Sequence, residues 1–180
     1  MDNTADAGTG KQDGMVRAHP LLPASAGAMH WGVKASFLSY VRNSGGKTAI
    51  VVPAGVTGET FTFPRTAGEY PPGTVRFSGG VAFSAHGGMM TVILAEAAIE
   101  TSSDGLWLTI ADTADITDES RRRRIARLVP ANSHGNIPAG SSTLTPLLAL
   151  SGVGLFGDVY AEGTAFDPLV LMPKDPVNGP

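Results

Sequence analysis

The sequence predicts a mainly β protein, an antiparallel sandwich or barrel-like domain with one or two short helices. Short apolar runs, several of them alternating with a period of two, recur along the 180 residues. The 23 glycines and 13 prolines divide these runs into short segments, and few segments have the longer helical period. Many short strands joined by glycine- and proline-rich turns are typical of sandwiches and barrels.

The first predicted element is a helix over residues 31–42. At about 100° per residue, one side of this helix carries Trp31, Ala35 and Leu38. The other side carries Val33, Ser36, Phe37 and Tyr40. An ordinary surface helix has one apolar face, so the hydroxyl and phenol of the second face indicate that something flat and partly polar covers it. Residues 43–46, Asn-Ser-Gly-Gly, predict the end of the helix.

The strands are expected to follow this helix. The clearest are predicted over residues 47–52, 59–63, 74–77, 81–84, 89–94 and 106–111. The pair Gly79-Gly80 predicts a tight turn or a bulge. Residues 144–150 fit either a strand or a helix, and residues 167–171 predict a last strand. Met89 and Met90 are expected to pack in the core, as strand methionines usually do.

A single domain is predicted over residues 26–173. Residues 1–20 are polar and predict a disordered tail, and the proline-rich residues 174–180 predict a second one. No apolar run reaches the roughly 18 residues of a membrane-spanning helix, and the first residues lack the apolar core of a signal peptide. A net charge of −3 and a pI of about 5.7 argue against a nucleic-acid partner.

Most catalytic and metal-binding motifs are absent from the sequence. There is no cysteine, no nucleophile elbow and no phosphate-binding loop, and the four histidines lack the spacing of a zinc site. The acidic residues between Asp112 and Glu119 lack the pattern of a calcium loop and predict a solvated loop or helix start. The following run, Arg121–Arg124, predicts a solvated face paired with those acids.

Tyr40 and His86 are more informative together than separately. Taken singly, they have ordinary explanations as a core or rim tyrosine and a loop histidine. A phenolate, however, can ligate ferric haem iron, and a free tyrosine, with a pKa of about 10, needs the iron charge and a hydrogen-bond donor to favour the anion. His86, beside two glycines, can supply that donor. Phe37 and Val33 would then flank the porphyrin, and Ser36 could bond a propionate.

Four blocks of the sequence resemble the HtaA domain of haem-uptake proteins from Gram-positive bacteria. They are Trp31-Gly32-Val33-Lys34-x-Ser36-Phe37-x-x-Tyr40-Val41 with Gly45-Gly46, then Phe77-Ser78-Gly79-Gly80-Val81-x-Phe83-x-x-His86-Gly87-Gly88, then Leu106-x-Leu108, and Tyr160-x-x-Gly163-Thr164-x-Phe166-Asp167-Pro168-Leu169. The resemblance implies a mostly β fold that holds ferric haem b. It implies Tyr40 as the iron ligand, His86 as its hydrogen-bond partner and Ser36 as a propionate contact.

The sequence therefore predicts a haem-binding protein of iron acquisition that is not an enzyme. It would capture ferric haem from donor proteins and transfer it to a downstream carrier or transporter. Two alternatives stay open, a haem-dependent peroxidase or degradase and a structural or adhesive surface β-sandwich without a cofactor. The resemblance implies a secreted or cell-surface location, and the missing signal peptide leaves a cytoplasmic one as the alternative.

Overall fold

The computed structural model describes residues 26–112, 121–131 and 139–174 and consists mainly of antiparallel strands. The strands described are β1 (Ala26–Trp31), β2 (Lys47–Val51), β3 (Gly55–Thr57), β4 (Thr60–Pro64), β5 (Thr74–Arg76), β6 (Gly80–Ala85), β7 (Met90–Ala95), β8 (Ala98–Ser102), β9 (Gly105–Ala111), β10 (Arg122–Pro130), β11 (Ser142–Leu148) and β12 (Leu169–Pro173). The helices described are α1 (Ala35–Asn43) and α2 (Leu150–Val153), with 3-10 turns at His86–Gly88 and Gly154–Phe156.

The strands form two sheets arranged as a sandwich. The larger has nine strands in the order β3-β4-β1-β12-β11-β10-β9-β8-β5, and the smaller has three in the order β2-β6-β7. All of the described pairings are antiparallel. The predicted fold class, a mainly β antiparallel sandwich with two short helices, is confirmed.

Aromatic rings fill the space between the two sheets and α1. Phe83 of the small sheet lies edge-on to Phe61 of the large sheet, with ring centroids 5.6 Å apart. Phe37 of α1 lies edge-on to Phe83 at 5.1 Å and to Phe156 at 5.3 Å. Each edge-to-face pair adds about 0.5–1.5 kcal/mol to the burial of its rings, so this cluster fixes α1 against both sheets.

The predicted helix over residues 31–42 is wrong at its beginning. Trp31 ends β1, pairs with Phe61 and Leu169, and donates its indole N–H to the carbonyl of Asp167 at 2.9 Å. Val33 has a φ of 60°, which breaks any helix through this segment. The helix begins only at Ala35, whose N–H donates to the Asp167 carboxylate at 2.8 Å.

The helix also has one buried face instead of two. Phe37, Leu38 and Val41 are buried, whereas Ser36 and Tyr40 lie beside them at the surface. The predicted end of the helix is confirmed. Ser44 follows the last helical residue and donates its backbone N–H to the backbone carbonyl of Tyr40 at 3.0 Å.

Gly79, with a φ of 79°, supports the predicted turn. Here, however, the chain leaves β5 in the large sheet and enters β6 in the small one, so the two strands are not paired with each other. The ambiguous segment 144–150 contains both elements, since β11 ends at Leu148 and α2 begins at Leu150.

The predicted solvated face at Arg121–Arg124 is wrong for one member of the run. Arg122 opens β10, and its guanidinium lies against Glu100 at 3.2 Å and Thr109 at 2.9 Å with only 10% of its side chain exposed. Burial lowers the pKa of Arg122, and the positive charge of Arg76 lowers it further. Its neighbours Arg123 and Arg124 are more exposed and pair with Asp112 and Asp104.

Several predicted features lie outside the described residues. These are the tail at 1–20, the tail at 174–180 beyond Lys174, His19, His134, and Asp115, Asp118 and Glu119 of the acidic cluster. Within the described ranges, none of the helices has the length and apolar character that crossing a membrane requires.

Candidate functional site

The exposed side of α1 presents two hydroxyl groups one turn apart. Ser36 and Tyr40 are separated by four residues, so both project from the same side of the helix. Tyr40 is 36% exposed although it is surrounded along the helix by buried Phe37 and Val41. The aromatic packing behind α1 therefore places both hydroxyl groups at the surface on a fixed support.

A sharp turn at the end of β6 brings a histidine to the phenol of Tyr40. His86 has a φ of 51° and is followed by Gly87 and Gly88 with φ of 66° and 95°. A non-glycine residue in this conformation is uncommon and is found more often where function requires it. The His86 Nε2 atom lies 2.6 Å from the Tyr40 hydroxyl oxygen. The structure thus brings together the two residues that the sequence suggested as partners.

Ser36 has a partner that the sequence analysis did not assign. Its Oγ atom lies 3.0 Å from the hydroxyl oxygen of Tyr160, in the segment that follows α2. Edge-to-face contacts with Phe156 and Phe166 hold the Tyr160 ring. Tyr160 stands in the fourth of the sequence blocks quoted above, which was the only signal that could have pointed to it.

Lys34 directly precedes α1 and lies at the end of the helix that carries Ser36. Its Nζ atom is 5.7 Å from the centroids of the Tyr160 and Phe166 rings and donates to the carbonyl of Ala165 at 2.8 Å. Through these contacts Lys34 ties the start of α1 to the segment that carries Tyr160.

Two of the predicted site residues lie behind this surface. Val33 is fully buried, and Phe37 is 1% exposed within the aromatic cluster. A direct contact between these side chains and a cofactor stays a prediction.

Met89 was expected to pack in the core, but it lies at the surface. It precedes β7 instead of lying in it, and 88% of it is exposed. Its backbone N–H donates to the His86 carbonyl at 3.3 Å, so it belongs to the same turn as the histidine.

The Tyr40 and His86 side chains could together provide an anionic oxygen ligand. An imidazole N–H directed at a phenolic oxygen stabilises the phenolate, and a phenolate is a strong ligand for a hard ion such as Fe³⁺. In the part of the chain that the structure describes, no group of three or more His, Cys, Asp or Glu residues could hold a bare metal ion. The phenol oxygen of Tyr40, with the imidazole of His86 beside it, could serve as a ligand of haem iron.

Comparison with known families and structures gives a consistent result. The family model named HtaA (Htaa) matches residues 26–172. Among solved structures, the C-terminal domain of HtaA from Corynebacterium glutamicum is 26% identical, with a TM-score of 0.60 over 79% of this chain and 92% of that chain. No curated protein sequence matches the chain.

Two further solved structures share the fold at lower identity. The N-terminal domain of HtaA from C. glutamicum is 22% identical, with a TM-score of 0.61 over 82% of this chain and 96% of that one. The haem-binding protein HtaB from the same organism is 19% identical, with a TM-score of 0.58 over 81% of this chain and 90% of that one.

Proposed function

The chain belongs to the HtaA family, and from this we propose that it is a haem carrier that captures ferric haem through the phenolate of Tyr40. The observation that supports this most directly is the 2.6 Å contact between His86 Nε2 and the Tyr40 oxygen at an exposed face. HtaB, a haem-binding protein by name, shares the fold. Family and local chemistry thus favour the same ligand.

His86 acts in this proposal through the oxygen of Tyr40. With its Nε2 protonated, His86 donates a hydrogen bond to the phenolate and stabilises the negative charge that the oxygen carries as a ligand. Its turn holds the ring in place, because the imidazole stands on a backbone fixed between β6 and β7. The ferric iron supplies the positive charge that the phenolate neutralises.

Ser36 and Tyr160 are suited to the polar edge of the ligand. Their hydroxyl groups already share a hydrogen bond at 3.0 Å, and each can donate to a carboxylate oxygen. We assign them to a propionate group. Val33 and Phe37 are buried behind the face and support α1, and in the proposal they remain the residues that flank the porphyrin.

The proposed role is transport of haem b without a chemical reaction. A hard oxygen ligand binds Fe³⁺ well and Fe²⁺ poorly, so reduction or acidification would favour release to a further carrier or transporter. Haem donor proteins and that carrier are the proposed partners, and the extracellular space or the cell surface is the proposed location.

Titration with hemin, followed by absorbance, tests this function. Wild-type protein should shift the Soret band and develop a tyrosinate-to-iron charge-transfer band, and Tyr40→Phe should lose the charge-transfer band and most of the affinity. Tyr70→Phe is the matched control, because Tyr70 lies against Arg76 in the loop before β5. Absence of any Soret shift in the wild type would instead favour an adhesive sandwich, and rapid peroxide turnover would favour an enzyme.

A further inference from the structure

Two strongly exposed apolar side chains belong to the segments that border Tyr40. Met89 is 88% exposed and Val159 is 61% exposed. Single exposed apolar residues are common on proteins and need no explanation. These two differ from the others because hydrogen bonds attach their segments to opposite ends of the same turn of α1.

The hydrogen bonds give the order of the groups across this face. At one end, Tyr160 bonds Ser36, and Val159 directly precedes Tyr160. At the other end, His86 bonds Tyr40, and Met89 closes the turn that His86 begins. The two exposed apolar residues therefore belong to the two segments that are hydrogen-bonded to this turn of α1, with Val159 next to Tyr160 and Met89 in the turn of His86.

The two glycines that follow His86 have open space around them. A Cβ atom built on Gly87 or on Gly88 would meet no atom within 4 Å. The two glycines therefore leave open space beside the turn that carries His86 and Met89.

We propose that Met89 and Val159 are the apolar contacts that hold the porphyrin ring on either side of Tyr40. This rests on the proposed haem binding and adds the residues that recognise the ring instead of the iron. An axial ligand fixes only the metal, whereas the ring gains affinity by burying its apolar area. Met89 suits this contact because its thioether is flexible and packs favourably on aromatic rings.

The inference predicts that these two residues bind the ring whether or not it contains iron. Titrations with hemin and with metal-free protoporphyrin IX separate the two contributions. Met89→Gln and Val159→Asn should each weaken both ligands by about threefold to tenfold, because each loses apolar burial. Tyr40→Phe should weaken hemin alone.

The first control keeps an apolar side chain of similar size at position 89. The second makes the same valine-to-asparagine change at another exposed position. Met89→Leu should bind both porphyrins within about twofold of wild type, since burial of a leucine is worth nearly as much. Val52→Asn changes a valine that is 83% exposed in the segment between β2 and β3 and should have no effect. If wild-type protein binds hemin but Met89→Gln and Val159→Asn bind both porphyrins unchanged, the inference is overturned and the proposed function stands. If wild-type protein binds neither porphyrin, both are overturned.

Discussion

Tyr40 and His86 illustrate how the backbone can bring two ordinary residues together as a candidate site. The phenol reaches the surface because Phe37 and Val41 anchor α1 on either side of it. The imidazole reaches the phenol because His86 adopts the left-handed conformation at the end of β6. Neither arrangement follows from residue type, which explains why each residue alone was uninformative in the sequence.

The proposed role of His86 leads to a prediction about affinity. His86→Ala should leave hemin bound through Tyr40 but cost about 1–3 kcal/mol of binding free energy, because a charge-assisted hydrogen bond is lost. Isothermal titration with hemin measures this cost, and His30→Ala in β1 serves as the control. A histidine-to-iron vibration in the resonance Raman spectrum, or equal affinity with and without the imidazole, would contradict the role.

At the scale of elements, the contact between α1 and β6 depends on a single glycine. A Cβ atom on Gly46 would lie 2.2 Å from the carbonyl oxygen of Ser84 and 2.6 Å from that of Val41. Both distances are shorter than any real contact, and both neighbours are backbone atoms that cannot rotate away. The turn between α1 and β2 therefore fits against β6, the strand that precedes His86, only if residue 46 has no side chain.

Gly46→Ala should destabilise the fold by about 3 kcal/mol or more, since backbone must move to relieve the overlap. Gly45→Ala is the matched control: that residue has open space around it and a φ of 66°, so alanine should cost only about 1 kcal/mol. Urea unfolding at equilibrium measures both. Equal unfolding midpoints for the two variants would refute the steric argument.

The arginine run gives a second prediction at this scale. Arg122→Ala should cost about 2–4 kcal/mol of unfolding free energy, because it leaves the half-buried Glu100 carboxylate without its cation. Arg123→Ala should cost under about 1 kcal/mol, because its pair with Asp112 is more exposed. Thermal unfolding of the two variants ranks them, and a larger loss for Arg123→Ala would show that the burial argument is wrong.

The elements that the sequence predicted best are those whose structure is set locally. β2, β4, β7 and β9 have alternating or continuous apolar residues, and the structure places each within two residues of its prediction. The start of α1 was missed because Asp167, far away in the sequence, receives the helix N–H and holds Trp31 in a strand. β10 was not predicted because its arginines conceal the alternation, and their partners on β8 and β9 cannot be identified from spacing.

The sequence also predicted some contacts of the candidate site and missed others, because it does not reveal contacts between distant positions. The sequence and the resemblance suggested Tyr40 with His86, and the structure places them in contact. The link between Ser36 and Tyr160 joins positions 124 residues apart, and no local pattern reports such a contact. The exposure of Met89 was missed because β7 begins one residue later than predicted.

At the scale of the whole molecule, the candidate site joins parts of the chain that are distant in sequence. α1, the turn after β6 and the segment after α2 each contribute a side chain. A ligand bound by all three stabilises the folded state, because the unfolded chain cannot hold these groups together.

Haem should therefore raise the melting temperature of the protein. At a free concentration about 100 times the dissociation constant, the stabilisation is about 2.7 kcal/mol, which corresponds to roughly 5–10 °C for a domain of this size. Calorimetry with and without hemin measures the shift, and Tyr40→Phe should lose most of it. An unchanged melting temperature while the Soret band shows saturation would mean that the unfolded chain binds hemin as tightly as the folded protein does, which contradicts a site assembled from distant segments.

The pairing of β1 with β12 determines when such a site can exist during synthesis. α1 begins on the Asp167 carboxylate, 132 residues further along the chain than Ala35, and β12 follows directly. A growing chain that has emerged from the ribosome as far as His86 therefore contains Tyr40 and its partner but lacks the support that orients them. A chain truncated before β12 should therefore lack the oriented pair of side chains, and it should not show the hemin binding that we propose for the full chain.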